Sequence, residues 1–319
     1  MNKYNIHTNT LGLGRSVLAM GNLLTLVFSS YYVLFPEYHF DKIKSGIRGI
    51  EKINLFLLFD YAYISIPYYI SVATLLLVII GLYPRITCIL HAWVAYSIYN
   101  TLLIIEGGDQ ITAILTLLLI PICLIDSRVN HWKNNATHNA PYFFKYFAYV
   151  ALIFIHFQMA LLYLDAGIEK LKVPEWTEGT AVYYWFNHNI FGAPHWIRSM
   201  VKNLFAQPLP MIIINWGVIV LEILLFIANF VKMRYKYLLF IAGFLFHFLI
   251  CVVHGLPTFW LAMTGGLILY LWRVDFTIRE NIRSMRRLLM PRGSNLKTLY
   301  LLFYSNYKKD NQSTEGKIA

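Results

Sequence analysis

Lys170 stands five residues after Asp165 and directly after Glu169, at the end of an apolar run that begins near Phe143. A primary amine in such a place can act as a base when apolar walls strip its water, because desolvation disfavours the ammonium. The carboxylates of Asp165 and Glu169 push the other way and favour the charged form. The plain alternative is a lysine that snorkels to the membrane surface. The sequence leaves both roles open.

Other polar residues interrupt the later apolar runs. Asn215, Glu222 and Asn229 are seven residues apart, so they share one helical face. A charged group at mid-membrane costs about 2.5–3.5 kcal/mol on insertion scales, so Glu222 has to be paired or protonated inside the bundle. It reads equally as a functional group or as part of a hydrogen-bonded packing stripe, and packing is the simpler reading of the two asparagines. His247 and His254 are also seven apart, with Cys251 between them. Seven residues rise about 10 Å, too far for both histidines to bind one metal ion. His156, Tyr163 and Lys170 share a face of their run, and Gln158 with Asp165 share another. Lys170, His247 and Glu222 are therefore the candidate catalytic residues. Asp165, Glu169, Trp176, His156 and His254 are candidates for substrate contact. Cys88, Cys123 and Cys251 lie far apart in apolar runs and read as small buried hydrophobes. No HExxH, GxSxG, Walker A or GxGxxG motif occurs, and no paired Cys/His ligands, so no metal is expected.

The elements that must hold these groups follow from composition. The chain of 319 residues is 58% hydrophobic and 13% charged, with mean hydropathy +0.54. Soluble domains carry about 25% charged residues, so an all-α integral membrane protein is expected. A net charge of +11 fits basic cytoplasmic loops better than nucleic-acid binding. Eight apolar runs approach the roughly 20 residues of a span, at about 11–35, 66–83, 86–105, 109–126, 143–165, 210–231, 235–253 and 257–273. The first is too long for a cleaved signal peptide and reads as a signal anchor, interrupted by Arg15 and Asn22. The piece Ile53–Tyr69 reads as interfacial or re-entrant.

Bases collect at Arg85, at Arg128–Lys145, at Lys232–Lys236 and in the tail, and eight spans put all four segments on one side. Both termini are then cytoplasmic, and loops 36–65 and 165–209 lie outside. The 165–209 loop carries Tyr183, Tyr184, Trp185, Phe186, Phe191, Trp196 and Phe205. It reads as an interfacial helix, as a lid over a cavity, or as both. The division expected is a multi-pass domain, 1–275, and a basic cytoplasmic tail, 276–319, whose Arg279, Arg283, Arg286 and Arg287 suit anionic lipid.

The run Ala166-Gly167-Ile168-Glu169-Lys170-Leu171, followed by Trp176 and Gly179, resembles the AGxxKL…W..G signature of the horizontally transferred transmembrane domain. That domain includes the membrane part of vitamin K-dependent gamma-carboxylase. Glu222, and His247 within Phe246-His247-Phe248, fit the same pattern. The opening Leu11–Ala19 narrows the resemblance to the B components of sporulation-delaying (Sdp) antimicrobial-peptide systems, over nearly the whole chain. The resemblance implies a gamma-carboxylase-like membrane domain in a bacterial plasma-membrane protein. It also implies a role beside a small A component in turning a secreted C precursor into an active toxin. Lys170 matches the carboxylase lysine that starts vitamin K chemistry, which brings a lipid quinone into view as a cofactor. The preceding lysine is Glu169 here, and the carboxylase Asn-His pair corresponds to Gly108-Asp109, which adds Asp109 to the candidate catalytic set. These departures, and the missing propeptide-binding domain, argue against glutamate carboxylation itself. Two other readings stand beside toxin maturation: a self-sufficient membrane enzyme with quinone or peptide-modifying chemistry, and a non-catalytic scaffold, transporter or immunity protein.

Overall fold

The computed structural model describes residues 5–46, 48–134 and 141–289, with the side chains of residues 50 and 289 left aside. Helices begin and end where the sequence offers caps and breakers. Thr8 accepts a hydrogen bond from the Thr10 backbone and opens α1, Asn9–Phe28. Ser30 then opens a short α2, Tyr31–Leu34, followed by α3, Glu37–Gly46. Three 3-10 turns, Gly49–Ile53, Phe56–Leu58 and Tyr61–Tyr63, lead to α4, Ser65–Ile80. Gly81, at φ +91°, ends α4 in the left-handed conformation, and Pro84 starts α5, Pro84–Thr101, as glycine and proline do at helix ends. After α6, Gly107–Leu124, come α7, Tyr142–Lys172, α8, Pro174–Thr177, α9, Ala181–Phe186, and α10, His195–Phe205. The chain continues through α11, Pro208–Phe226, a 3-10 turn Ile227–Phe230, α12, Met233–His254, and α13, Pro257–Leu271. Among the described residues the regular secondary structure is helical apart from one isolated bridge, Leu82 to Asn130.

Five helical segments are long and apolar enough to cross a membrane: Asn9–Phe28, Gly107–Leu124, Tyr142–Lys172, Pro208–Phe230 and Met233–His254. The other expected runs are helical but fall short in length or hydropathy. Helices α4 and α13, of 16 and 15 residues, reach only about 22–24 Å at 1.5 Å per residue. Arg85, His91 and Asn100 lower the hydropathy of α5. The first run does not continue to residue 35, because the backbone turns extended at Ser29. Adjacent serines compete with helical hydrogen bonds in this way. The segment before α4, expected as one interfacial or re-entrant piece, is the series of 3-10 turns.

Helix α1 lies between α4 and α13, α5 pairs with α6, and α7 packs on α11, α6 and α13. Leu26, Phe35, Phe40, Phe56, Leu75 and Ile98 form a core that joins α1, α4 and α5 to the 3-10 segment. Near one end of these helices, Arg15, 1% exposed, donates to His131 Nδ1 at 3.2 Å and to Thr87 Oγ1 at 3.2 Å. An arginine only donates, so Nδ1 accepts and the His131 proton sits on Nε2, which donates to Ser16 Oγ at 3.2 Å. Gly12 and Gly81 leave the room: a Cβ on either would come within 2.7 Å of the His131 ring. Burial and then the charges of Arg15 and Arg128 hold the His131 imidazole down at about 3. Arg128 and Asp126, both fully buried, close the same turn with an ion pair of 2.6 Å.

The chain divides into two units, Met1–Ile278 and Arg279–Ala319. Of the second, the described part is helical as α14, Ile278–Leu289, with Arg279, Arg283, Arg286 and Arg287 along it. The tail expected from residue 276 lies outside the described residues beyond Leu289.

Candidate functional site

Helices α7 and α11 run antiparallel and touch closely at Gly167, where a Cβ would lie 2.9 Å from Ile223 Cδ1. A larger residue there would push the helices apart. The close approach sets Lys170 against Glu222, with Nζ 2.7 Å from Oε1. The ammonium also donates to the Ala166 carbonyl oxygen at 3.3 Å and lies 5.3 Å from the centroid of the Trp176 ring. All three ammonium donors thus have a direction, the last toward a π face. The Lys170 side chain is 21% exposed and that of Glu222 is 5% exposed. Glu222 Oε2 makes no hydrogen bond among the described residues.

Two helical turns back along the same face, the Tyr163 hydroxyl meets His247 Nε2 at 3.0 Å. Both residues are buried, and His247 Nδ1 has no partner among the described residues. Phe259 packs edge-on against the imidazole, with ring centroids 5.5 Å apart. Deeper still, His156 Nδ1 and Asn229 Oδ1 are 3.1 Å apart, and Tyr270 donates to the Leu225 carbonyl at 2.8 Å. The polar face of α7 therefore meets α11, α12 and the 3-10 turn after α11 in three successive tiers.

A roof covers the top tier. Asn215, fully buried, accepts from the Val182 backbone at 3.1 Å and donates to the carbonyls of Gly179 and Met211, each at 2.8 Å. This clamps the chain between α8 and α9 onto α11. Gly179 adopts φ +82° there, and a Cβ would meet Ile212 at 2.8 Å. His254, one of the candidate contact residues, belongs to the roof, with Nδ1 2.6 Å from the Phe191 carbonyl oxygen and the rings of Trp185 and Phe186 beside it.

Of the candidate residues, Lys170, Glu222 and Trp176 form one contact group and His247 lies beneath it on Tyr163. His156 occupies the lowest tier. Glu169 is exposed and pairs with Lys172 at 2.6 Å. Asp165 is exposed on another face of α7. Asp109 is buried and accepts from the Glu106 backbone at 3.1 Å, capping its own helix. Tyr163 lies on the face that the spacing predicts, with His247 as the partner the spacing does not give, and Asn215 packs through hydrogen bonds, here to the segment after α8. The signal for the α7–α11 contact was present in the spacing. His156, Tyr163 and Lys170 rise along α7 while Asn229, in the 3-10 turn, and then Glu222 and Asn215, on α11, lie progressively outward, the order that antiparallel neighbours require. Chemically, the top tier sets a cation and a carboxylate within proton-exchange distance, with the second oxygen of that carboxylate making no hydrogen bond among the described residues.

No protein-family model matches the chain, and no solved structure matches it. Two curated proteins of Bacillus subtilis (strain 168) do. "Uncharacterized protein YitO" is 34% identical over 288 residues, 88% of this chain and 90% of that protein. "Sporulation-delaying protein SdpB" is 32% identical over 312 residues, 95% of this chain and 96% of that protein. With that identity maintained from end to end, the chain belongs to the SdpB family.

Proposed function

We propose that this protein matures a secreted peptide toxin at the bacterial plasma membrane, together with a small partner protein, and that Lys170 and Glu222 form its working site. The observation that carries the reading is the roofed Lys170–Glu222 pair in a chain related along its length to a sporulation-delaying protein. In this reading eight helical segments cross or enter the membrane, α4, α5 and α13 among them, with both termini cytoplasmic. The site then opens toward the outer face, where a secreted precursor arrives. Lys170 contacts the precursor with Glu222 as its proton partner, His247 supports them from below, and Trp176 closes the site. Kinship with the carboxylase membrane domain, suggested by Ala166–Leu171, is part of this proposal, and Lys170 is its base.

The test is a strain lacking this gene, supplied with precursor, partner and either the wild type or K170M. Mass spectrometry reads the secreted peptide. Wild type yields mature peptide, and K170M, at equal protein level, yields peptide that retains its precursor mass. Normal mature peptide from K170M would remove Lys170 from the mechanism. Killing of the producer by added toxin, with peptide maturation intact, would favour an immunity role instead.

A further inference from the structure

Helix α7 buries Ala151, Ile155, Met159, Tyr163 and Gly167 against its neighbours. Its opposite side exposes Phe154, Phe157, Leu161 and Ile168, as a lipid-facing surface does. Asp165 breaks that surface. Its carboxylate is exposed and makes no hydrogen bond or ion pair among the described residues, while each neighbouring charge is taken. Glu169 holds Lys172 at 2.6 Å, and Lys170 turns inward to Glu222. Gln158 lies seven residues below Asp165 on the same face. With Leu161, Leu162, Leu164 and Ile168 the two polar groups line a hollow of about 400 Å³. Every lining residue belongs to α7, so the far wall is open.

Depth makes the exposed carboxylate informative. Asp165 is two residues beyond Tyr163, which meets His247, and His247 is seven residues inside the end of α12, about 10 Å. An ionised carboxylate facing lipid at that level is expensive, and such groups pair with a partner. A second copy of this chain is a poorer partner, because a two-fold contact centred on Asp165 would set the two carboxylates against each other. We propose that the Gln158–Asp165 face of α7 binds a single membrane-spanning helix of a partner protein, one that places a lysine or arginine opposite Asp165. The apolar hollow seats the helix backbone, Gln158 hydrogen-bonds across the contact, and the ion pair fixes its depth and orientation. This rests on the reading that the protein works with a partner protein, and not on the chemistry of Lys170.

The experiment reconstitutes the full-length protein in lipid vesicles with synthetic leucine–alanine helices of about 20 residues. One helix carries a single lysine a turn inside its outer end, and the control carries leucine there. Energy transfer between labels reads association. The lysine helix is expected to associate more strongly with wild type by roughly five- to thirty-fold, the strength of polar pairs between membrane helices. D165L removes the preference, and D165K transfers it to a helix that carries aspartate. D165N, which keeps the shape of the side chain, lowers the preference and serves if D165L is lost to misfolding. Equal association of the two helices with wild type, a preference that survives in D165L or D165N, or energy transfer between copies of the protein through this face would each overturn the proposal. K170M keeps the lysine-helix preference while losing toxin maturation, so the two readings fail separately.

Discussion

The Lys170–Glu222 pair makes opposite demands on stability and on function, and a double-mutant cycle separates them. Removing one partner of a buried ion pair costs about 3–5 kcal/mol, because the other charge is left uncompensated. The two halves of this pair are not equally sheltered. In E222L the ammonium keeps the Ala166 carbonyl, the Trp176 ring and its 21% exposure, so the loss falls below that range, at roughly 2 kcal/mol once solvent screening is counted. In K170M a carboxylate only 5% exposed is left with neither oxygen hydrogen-bonded among the described residues, which puts the loss near the top, roughly 4 kcal/mol. At about 2–4 °C per kcal/mol for larger domains, K170M lowers Tm by on the order of 10 °C and E222L by about half as much. The double variant K170M/E222L replaces the pair with apolar groups of similar volume, and such replacements are neutral or stabilising. Its Tm returns to the wild-type value or exceeds it.

Function follows a different course under the proposal. K170M, E222L and the double variant all fail to mature the precursor, although the double variant is the best folded of the three. The assay is Tm of the detergent-solubilised protein by tryptophan fluorescence, with mass spectrometry of secreted peptide from the same variants. Wild-type maturation by K170M/E222L would show that the pair is only a packing device. A double variant less stable than K170M would refute the account of the burial energetics.

Three further outcomes test the surroundings of the pair. N215L leaves the Gly179 carbonyl and the Val182 amide unpaired, at roughly 2–3 kcal/mol, and limited proteolysis should cut residues 174–193 faster than in wild type. The folded-state value of His131, about 3, lies below the ordinary histidine value of about 6.5. The unfolded chain therefore binds the extra proton between those limits, and stability falls as pH drops through that window by about 1.4 kcal/mol per unit. Tm measured from pH 7.5 to pH 4.5 should lose this part of its slope in H131Q. Y163F strips His247 Nε2 of its hydrogen bond, an expected loss of about 1–3 kcal/mol, visible in Tm. Normal stability of Y163F would mean that the contact is dispensable.

Much of the fold was legible because its signals are local. Runs of about 20 apolar residues mark spans, and Pro84, Pro208 and Pro257, with Gly81 and Gly255, mark helix ends. The break at Ser29–Ser30 was not legible, since two serines in an apolar run are equally compatible with a continuous helix. Nor was the role of Arg15. Within its own run it is only an interruption, and its meaning comes from His131, over a hundred residues away in sequence. In the candidate site, angular arithmetic separated Asp165 from Lys170, and the structure keeps them on different faces of α7.

Depth is where counting along one helix misleads. On α7, Lys170 is two residues from the helix end, which reads as a surface position. Its partner Glu222 lies fourteen residues into α11 from Pro208, about 21 Å along that axis. Both hold because α7 is 31 residues long, about 46 Å, and is offset from α11, so that its fifteenth residue, His156, already meets Asn229 beyond the inner end of α11. The Asn215 clamp is seven residues outward from Glu222, about 10 Å, and holds the aromatic segment over the amine. A lysine at the end of one helix is thereby drawn against the inner part of another, four residues short of its end, and covered. The burial that makes Lys170 a better candidate for chemistry than for snorkelling is a property of the α7–α11 pair, and no reading of either run alone contains it.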